Sequence, residues 1–332
     1  MNKSGNPIRA RLAWGEPKKL LSFVPVPMLL LAGCVHLPPK RAARLPKPLP
    51  TCVASEFNAP AARPSKCEET LVKNESRYAL RRVELTFDRI SATSNITIDY
   101  YQVEGRARPS PVIVLLPISG GGYEVESHFA RYFAKHGLAV ALVHRREVGK
   151  QTPKASEIEG WLKQNIACHK RVLDWIETRS ELDAHRIGLF GISMGGIQAA
   201  LLTPLDDRVK AATFGLAAGD LPFVLAHSTE KSIARHRAEF MRAHQMNRAQ
   251  FQDELRKAIT CDPALLAPYV EQQRILLVLG FCDTVVPFDK GWELRGKLGK
   301  PETLILPTGH YSALFCIPYV KNRCLHFFRK HL

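Results

Sequence analysis

A short apolar strand that runs into Gly-x-Ser-x-Gly, and then into a helix of small residues, restricts the fold of this chain more than any other feature. The segment is Arg186-Ile187-Gly188-Leu189-Phe190-Gly191-Ile192-Ser193-Met194-Gly195-Gly196, continued by the small apolar run 197–202. A strand that turns this sharply into a helix holds one serine at positive φ, with its hydroxyl projecting above the sheet edge. Strand and helix nearly touch at such a turn, so positions two residues either side of the serine need minimal side chains. Gly191 and Gly195 meet that need, and Gly196 adds slack. The bare five-residue pattern is weak; the flanking strand and helix make it strong.

The hydrophobic pattern extends this unit in both directions. Segments 83–87 and 96–103 alternate apolar and polar residues, as an antiparallel pair does. Strand 112–116, a helix near 124–136 and strand 138–143 follow, then a long helix over roughly 155–179. Its stripe of Ile158, Trp161, Leu162, Ile166, Leu173 and Ile176 marks a buried face. Beyond the glycine-flanked serine come strand 209–214, a continuous apolar strand at 274–280 and a last strand at 303–306. Strands alternating with helices imply an α/β fold: a doubly wound, mostly parallel sheet with helices on both faces. Nearly sixty residues separate the strand ending near Phe214 from the one starting at Arg274, far beyond a usual connection. Much of that stretch reads as helical.

A hydroxyl is a poor nucleophile near neutral pH and needs a base, itself oriented by a third group. The chain supplies candidates in the order Ser, Asp, His. Strand 274–280 runs into Phe281-Cys282-Asp283-Thr284-Val285-Val286-Pro287, and strand 303–306 ends in Pro307-Thr308-Gly309-His310. Both candidates lie just past the C-terminal ends of strands, where ligands gather in open α/β sheets. Asp283 also has a plainer reading, as a cap for the helix beginning near Phe288. His310 stands apart from the eleven other histidines by its place between the last strand and the last helix.

Gly-Ile-Ser-Met-Gly-Gly at 191–196, Asp-x-x-Val-Pro at 283–287 and Gly-His at 309–310 together resemble the α/β-hydrolase superfamily, over roughly residues 80–332. The resemblance implies Ser193 as nucleophile, His310 as general base and then acid, and Asp283 as the group that fixes the imidazole tautomer. It also implies an oxyanion hole made by two amides. One belongs to Met194, the residue after the nucleophile. The other lies in the loop Pro117-Ile118-Ser119-Gly120-Gly121-Gly122, with Ser119 the first choice and Ile118 the second. An insertion at about 217–272 commonly forms a helical lid in this superfamily. The compact Gly-rich loop and the Asp-x-x-Val-Pro turn resemble the esterase and dienelactone-hydrolase-like branch. Hydrolysis of a carboxylic ester or thioester through an acyl-enzyme is therefore the expected activity. Acyl transfer uses the same groups, and a catalytically inactive binding or assembly factor on this fold is the reading from a different class.

Ahead of this domain, Lys18-Lys19 precede the apolar run 20–32, too short for a comfortable membrane span. A basic region, a short apolar core and small residues before a cleavage point mark an export signal. Leu31-Ala32-Gly33-Cys34 resembles a bacterial lipoprotein lipobox, which implies cleavage before Cys34 and a diacylglyceryl group on its thiol. The expected organisation is a signal peptide at 1–33, a Pro-rich, lipid-anchored tether at 34–78, and the hydrolase-like domain at 79–332. Prolines recurring among Ala, Lys and Arg over residues 35–66 predict that this part of the tether is extended and poorly ordered. This reading places the protein at the cell envelope, on the outer membrane or the periplasmic face of a bacterial membrane. Its other partner would be a small-molecule or lipid ester.

The net charge is +16. No zinc-finger spacing, RNA-recognition motif or basic-aromatic stripe accompanies it, so nucleic acid is not an expected partner. Eight cysteines in an export context permit disulfides, with Cys52 and Cys67 the first pair to consider. No CxxC, HxxxH or phosphate-cradling motif occurs, so neither metal nor cofactor is expected.

Overall fold

The structure is a computed structural model that describes residues 33–40, 45–57, 61–88, 95–105, 108–120, 122–145 and 155–332. The expected signal peptide lies outside the described residues apart from Gly33. A first strand, Val35–Leu37 (β1), is followed by the short helix Thr51–Glu56 (α1). Three antiparallel strands come next: Lys66–Glu75 (β2), Tyr78–Thr86 (β3) and Asn95–Val103 (β4). Strands and helices then alternate. Ser110–Leu116 (β5) leads to Glu124–Lys135 (α2), Ala139–Val143 (β6) to Ala155–Glu177 (α3), and Leu182–Ile192 (β7) to Met194–Leu202 (α4). After Val209–Gly215 (β8) the insertion holds helices Leu221–His227 (α5), Lys231–Ala243 (α6) and Arg248–Ala258 (α7). Ile275–Gly280 (β9), Phe288–Lys297 (α8), Glu302–Leu306 (β10) and Ile317–His331 (α9) follow.

All of β5 is buried, because helices cover both faces of the sheet. Val112, Val114 and Leu116 face one core, with Leu162 and Leu173 of α3 and Leu201 of α4. Ile113 and Leu115 alternate to the other face, where Phe129 and Phe133 of α2 meet Phe328 of α9.

The strand order is β1-β10-β9-β8-β7-β5-β6-β4-β3-β2. Strands β5 to β10 run parallel, with antiparallel strands at both edges. This is the doubly wound, mostly parallel α/β class that the pattern predicts. From β5 the chain steps to β6 on one side, then crosses back to β7 on the other. That reversal opens a crevice at the C-terminal strand ends, because the connections on either side leave toward opposite faces. Leu116 stands beside Gly191 in parallel register. The loop after β5 and the serine after β7 therefore open into the same crevice.

The expectation of a poorly ordered stretch at 35–66, within a tether reaching to 78, needs correction. The described parts of this stretch lie along the domain. β1 pairs antiparallel with β10, and His36 reaches Glu302 at 3.0 Å. The Lys40 amide donates to Lys300 O at 3.1 Å and the Lys47 amide to Pro268 O at 3.0 Å. On the far side, Lys170 of α3 donates to Phe57 O at 3.1 Å, and β2 extends the sheet beyond β3. The physical reason is the bare edge of β10, whose free amides and carbonyls favour a covering strand. Composition registers the prolines and misses that long-range pairing. Cys52 and Cys67 are both exposed and unlinked.

The insertion is tied down by two buried carboxylates. Glu159 of α3 accepts the Thr260 and Cys261 amides at 3.1 and 3.0 Å. Asp262 accepts the Asp220 and Leu221 amides at 3.0 and 2.5 Å. Buried backbone donors need such partners. Phe251 and Leu255 of α7 join the main core, so the insertion is part of the domain rather than an appendage.

A buried histidine makes the fold sensitive to acid. His169 of α3 is 2% exposed, with Nε2 2.6 Å from Gln198 Oε1 on α4. Burial pushes its pKa down from 6.5 to about 4, against the opposing pull of the Gln198 contact. The unfolded chain takes up a proton near pH 6.5 that the folded chain refuses until about 4. Stability from this group is therefore full above pH 6.5 and falls as pH drops toward 4. Denaturant midpoints measured across that window are expected to decline with acid. His169→Gln is expected to reduce the slope of unfolding free energy against pH by about one proton; an unchanged slope would place the sensitivity in another group.

Candidate active site

β7 ends at Ile192 and α4 begins at Met194, so Ser193 makes the turn alone. It does so at φ 56° and ψ −122°, a strained conformation for a residue with a Cβ. Its amide donates to Gly215 O at 2.8 Å, and its carbonyl accepts the Ile197 amide at 3.0 Å. A Cβ on Gly191 would meet the Gly195 carbonyl, and one on Gly195 would meet the Leu116 carbonyl. Close approach, not backbone angle, requires these two glycines.

Two adjacent loops bring the other candidates to the serine. The Phe281 amide donates to Leu306 O at 2.8 Å and the Cys282 amide to Thr308 O at 3.0 Å, which joins the loop after β9 to the loop after β10. Asp283 is 5% exposed. Its Oδ1 accepts the Val285 and Val286 amides, each at 2.9 Å. Its Oδ2 lies 2.7 Å from His310 Nδ1. The side chain does cap backbone amides, but those of its own turn rather than of α8, and with one oxygen only. An ionised carboxylate can only accept, so Nδ1 carries the proton and donates. Nε2 is then left with its lone pair toward the Ser193 hydroxyl, which donates to it at 2.9 Å. Ser193, His310 and Asp283 thus form one hydrogen-bonded chain.

The Met194 amide opens α4 directly after Ser193. Across the junction of β5 and β7, Ile118 and Ser119 reach the same cavity. The Ile118 amide is already engaged: it donates to Glu126 Oε1 at 3.0 Å. Of the two loop candidates, Ser119 alone keeps an amide outside that contact. Glu126, in the first turn of α2 and 3% exposed, is absent from the sequence reading. The only signal for it was the acidic pair Glu124 and Glu126 at a helix start, which reads equally well as pairing with the helix dipole.

A cavity of about 290 Å³ opens beside Ser193. Its wall is mostly hydrocarbon, with Ile158 and Trp161 from α3, Leu221 and Val224 from α5, and Ile233 from α6. Helices of the insertion therefore form part of the cavity wall. Tyr311 and Leu314, just past His310, line the cavity yet stay mostly exposed, which sets them at its mouth.

Comparison with known proteins agrees with this architecture. A family model described as alpha/beta hydrolase fold matches residues 111–243. An acetyl xylan esterase from Paenibacillus sp. R4 superposes with a TM-score of 0.60 at 20% identity, covering 81% of this chain and 90% of that one. Acetyl xylan esterase 1 from Thermoanaerobacterium sp. JW/SL YS485 gives 0.59 at 16% identity, covering 83% and 94%. An acylaminoacyl peptidase from Pyrococcus horikoshii gives 0.56 at 16% identity, covering 78% of this chain and 42% of that one. The chain is an α/β-hydrolase-fold protein. Two curated Mycobacterium tuberculosis proteins, both described as uncharacterized, are 30% identical over 142 residues, 42% of this chain. That match spans 32%, about a third, of the relatives' own length.

The contact at Gly191 gives a direct test of the turn. Gly191→Ala forces a methyl group against the Gly195 carbonyl and is expected to cost about 1–3 kcal/mol of stability, the range for an overpacked core. Denaturant unfolding measures it; a variant as stable as the parent would show that the turn yields.

Proposed function

We propose that this chain is a serine hydrolase that cleaves a carboxylic ester or thioester carrying an apolar acyl group. The observation that carries the reading is the pair of contacts at His310, 2.9 Å to Ser193 Oγ and 2.7 Å to Asp283 Oδ2. Ser193 Oγ attacks the acyl carbon while His310 Nε2 takes its proton, and Asp283 stabilises the imidazolium. The oxyanion of the tetrahedral intermediate accepts from the Met194 and Ser119 amides. Collapse breaks the bond to the alcohol or thiol, which leaves with the proton from His310. Water then attacks the acyl-enzyme with His310 again as base, releasing the acid and restoring the serine. The acetyl xylan esterases that share the fold lend support to ester chemistry.

The cavity supports the choice of acyl group. A methylene moved from water into hydrocarbon gains about 0.8 kcal/mol, which is about four-fold in kcat/KM. In a series of p-nitrophenyl esters, kcat/KM is expected to climb by about that factor per carbon beyond acetate, until the cavity fills. A sharp optimum at acetate would instead align the preference with the acetyl esterases.

The Leu31-Ala32-Gly33-Cys34 sequence supports attachment of the protein to a bacterial envelope membrane through lipid on Cys34. Because β1 begins at Val35, such an anchor would join the sheet edge directly, without a stalk.

A fluorophosphonate probe tests the mechanism. The parent protein is expected to label, and Ser193→Ala to remain unlabelled. Asp283→Asn is expected to lower kcat by about 10⁴, through the wrong imidazole tautomer. Folded parent protein that takes no label would favour the binding-factor reading.

A further inference from the structure

The loop after β5 is gripped from two sides by groups that the proposed chemistry leaves without a role. On one side is the start of α2. Glu126 Oε1 accepts the Ile118 amide at 3.0 Å, and Glu124 Oε2 accepts the Gly122 amide at 3.1 Å. On the other side is Arg145, just past β6. Its Nη1 donates to Ile118 O at 3.2 Å and also to Gly120 O. The Arg145 guanidinium lies 4.4 Å from the centre of the Tyr123 ring, and its amide donates to the Tyr123 hydroxyl at 2.7 Å. Ile118 is thus held at both its amide and its carbonyl, and Gly120 at its carbonyl. Ser119 lies between two residues whose carbonyls Arg145 holds.

Stability alone is a poor account of Glu126. It is 3% exposed, and among the described residues its Oε2 has no partner. A buried carboxylate with one oxygen unsatisfied is costly. A position near the start of a helix returns only a few tenths to about 1 kcal/mol. What the carboxylate does achieve is geometric. It holds the peptide on one side of Ile118 by its amide, while Arg145 holds the carbonyl of the next peptide plane, whose nitrogen is that of Ser119.

We propose that Glu126 and Arg145 are positioning residues that hold the Ile118–Ser119 peptide so that the Ser119 amide meets the oxyanion. This rests on the serine-hydrolase reading of the same site. Neither side chain touches the substrate; they act through the loop. The acceptor at Glu126 matters and its charge does not, so glutamine, which keeps Oε1, substitutes for it.

The experiment compares the parent with Glu126→Ala, Glu126→Gln and Arg145→Ala. Each is followed by kcat and KM on p-nitrophenyl butyrate and by hydrogen exchange of the peptide spanning 117–123. Loss of one oxyanion donor costs about 10²–10³ in kcat. Glu126→Ala is expected to lose at least about ten-fold in kcat with KM within about two-fold, and to speed exchange in that peptide. Glu126→Gln is expected to restore both. If Glu126→Ala does not fold, Arg145→Ala carries the same expectation. Unchanged exchange in both alanine variants overturns the proposal, as does a glutamine variant as slow as the alanine one. Exchange needs no turnover, so a parent protein that fails to label would sink the hydrolase reading while the loop's positioning was still being measured.

Discussion

A single non-glycine residue at φ 56° carries the chain from β7 into α4, and much of the surrounding architecture holds it there. Strain of this kind costs of order 1–3 kcal/mol and persists only where the neighbours over-determine it. Here the neighbours are β8, whose Gly215 carbonyl accepts the Ser193 amide, and α4, whose Ile197, Leu201 and Leu202 are buried in the larger core. Relaxing the turn would pull α4 off the sheet. The strain is thereby offset by burial that has no other way to be realised. The same close approach puts the Ser193 hydroxyl above the strand ends, clear of the ladder hydrogen bonds.

The insertion and the loops build an environment around that hydroxyl. Hydrocarbon from α3, α5 and α6 lines the cavity, so few groups inside compete with the Ser193–His310 contact. Low polarity strengthens each hydrogen bond that remains and raises the cost of any left unmade. Asp283 illustrates the balance. It is buried, yet both oxygens are occupied, one by two amides and one by the imidazole. The Glu159 and Asp262 contacts fix the insertion's ends with the same economy.

Parallel strands were legible because they are buried on both faces and read as continuous apolar runs, as in β5 and β9. The long helix was legible from its stripe of Ile158, Trp161, Leu162 and Ile166. β2 was not. It sits at the sheet edge with nearly all its residues exposed, so no period-2 burial marks it, and the prolines upstream point toward disorder. β1 is three residues long and exists only because β10 offers an open edge. Glu126 was missed for a related reason: its partner is a backbone amide eight positions away, and backbone amides leave no trace in composition.

Local chemistry by itself determined the serine's turn, the order of strands and helices, and the placement of Asp283 and His310 just past strand ends, because each follows from residues adjacent in the chain. The tertiary structure decided what those residues touch. The Ser193–His310 contact spans 117 positions and the His310–Asp283 contact 27. Both depend on β7, β9 and β10 lying in one parallel register, which is set by packing across the whole sheet. The division of labour between the two Asp283 oxygens, the grip on Ile118 and the docking of the proline-rich segment were decided there as well. Hydrogen bonds between distant segments form only after burial has brought the segments together.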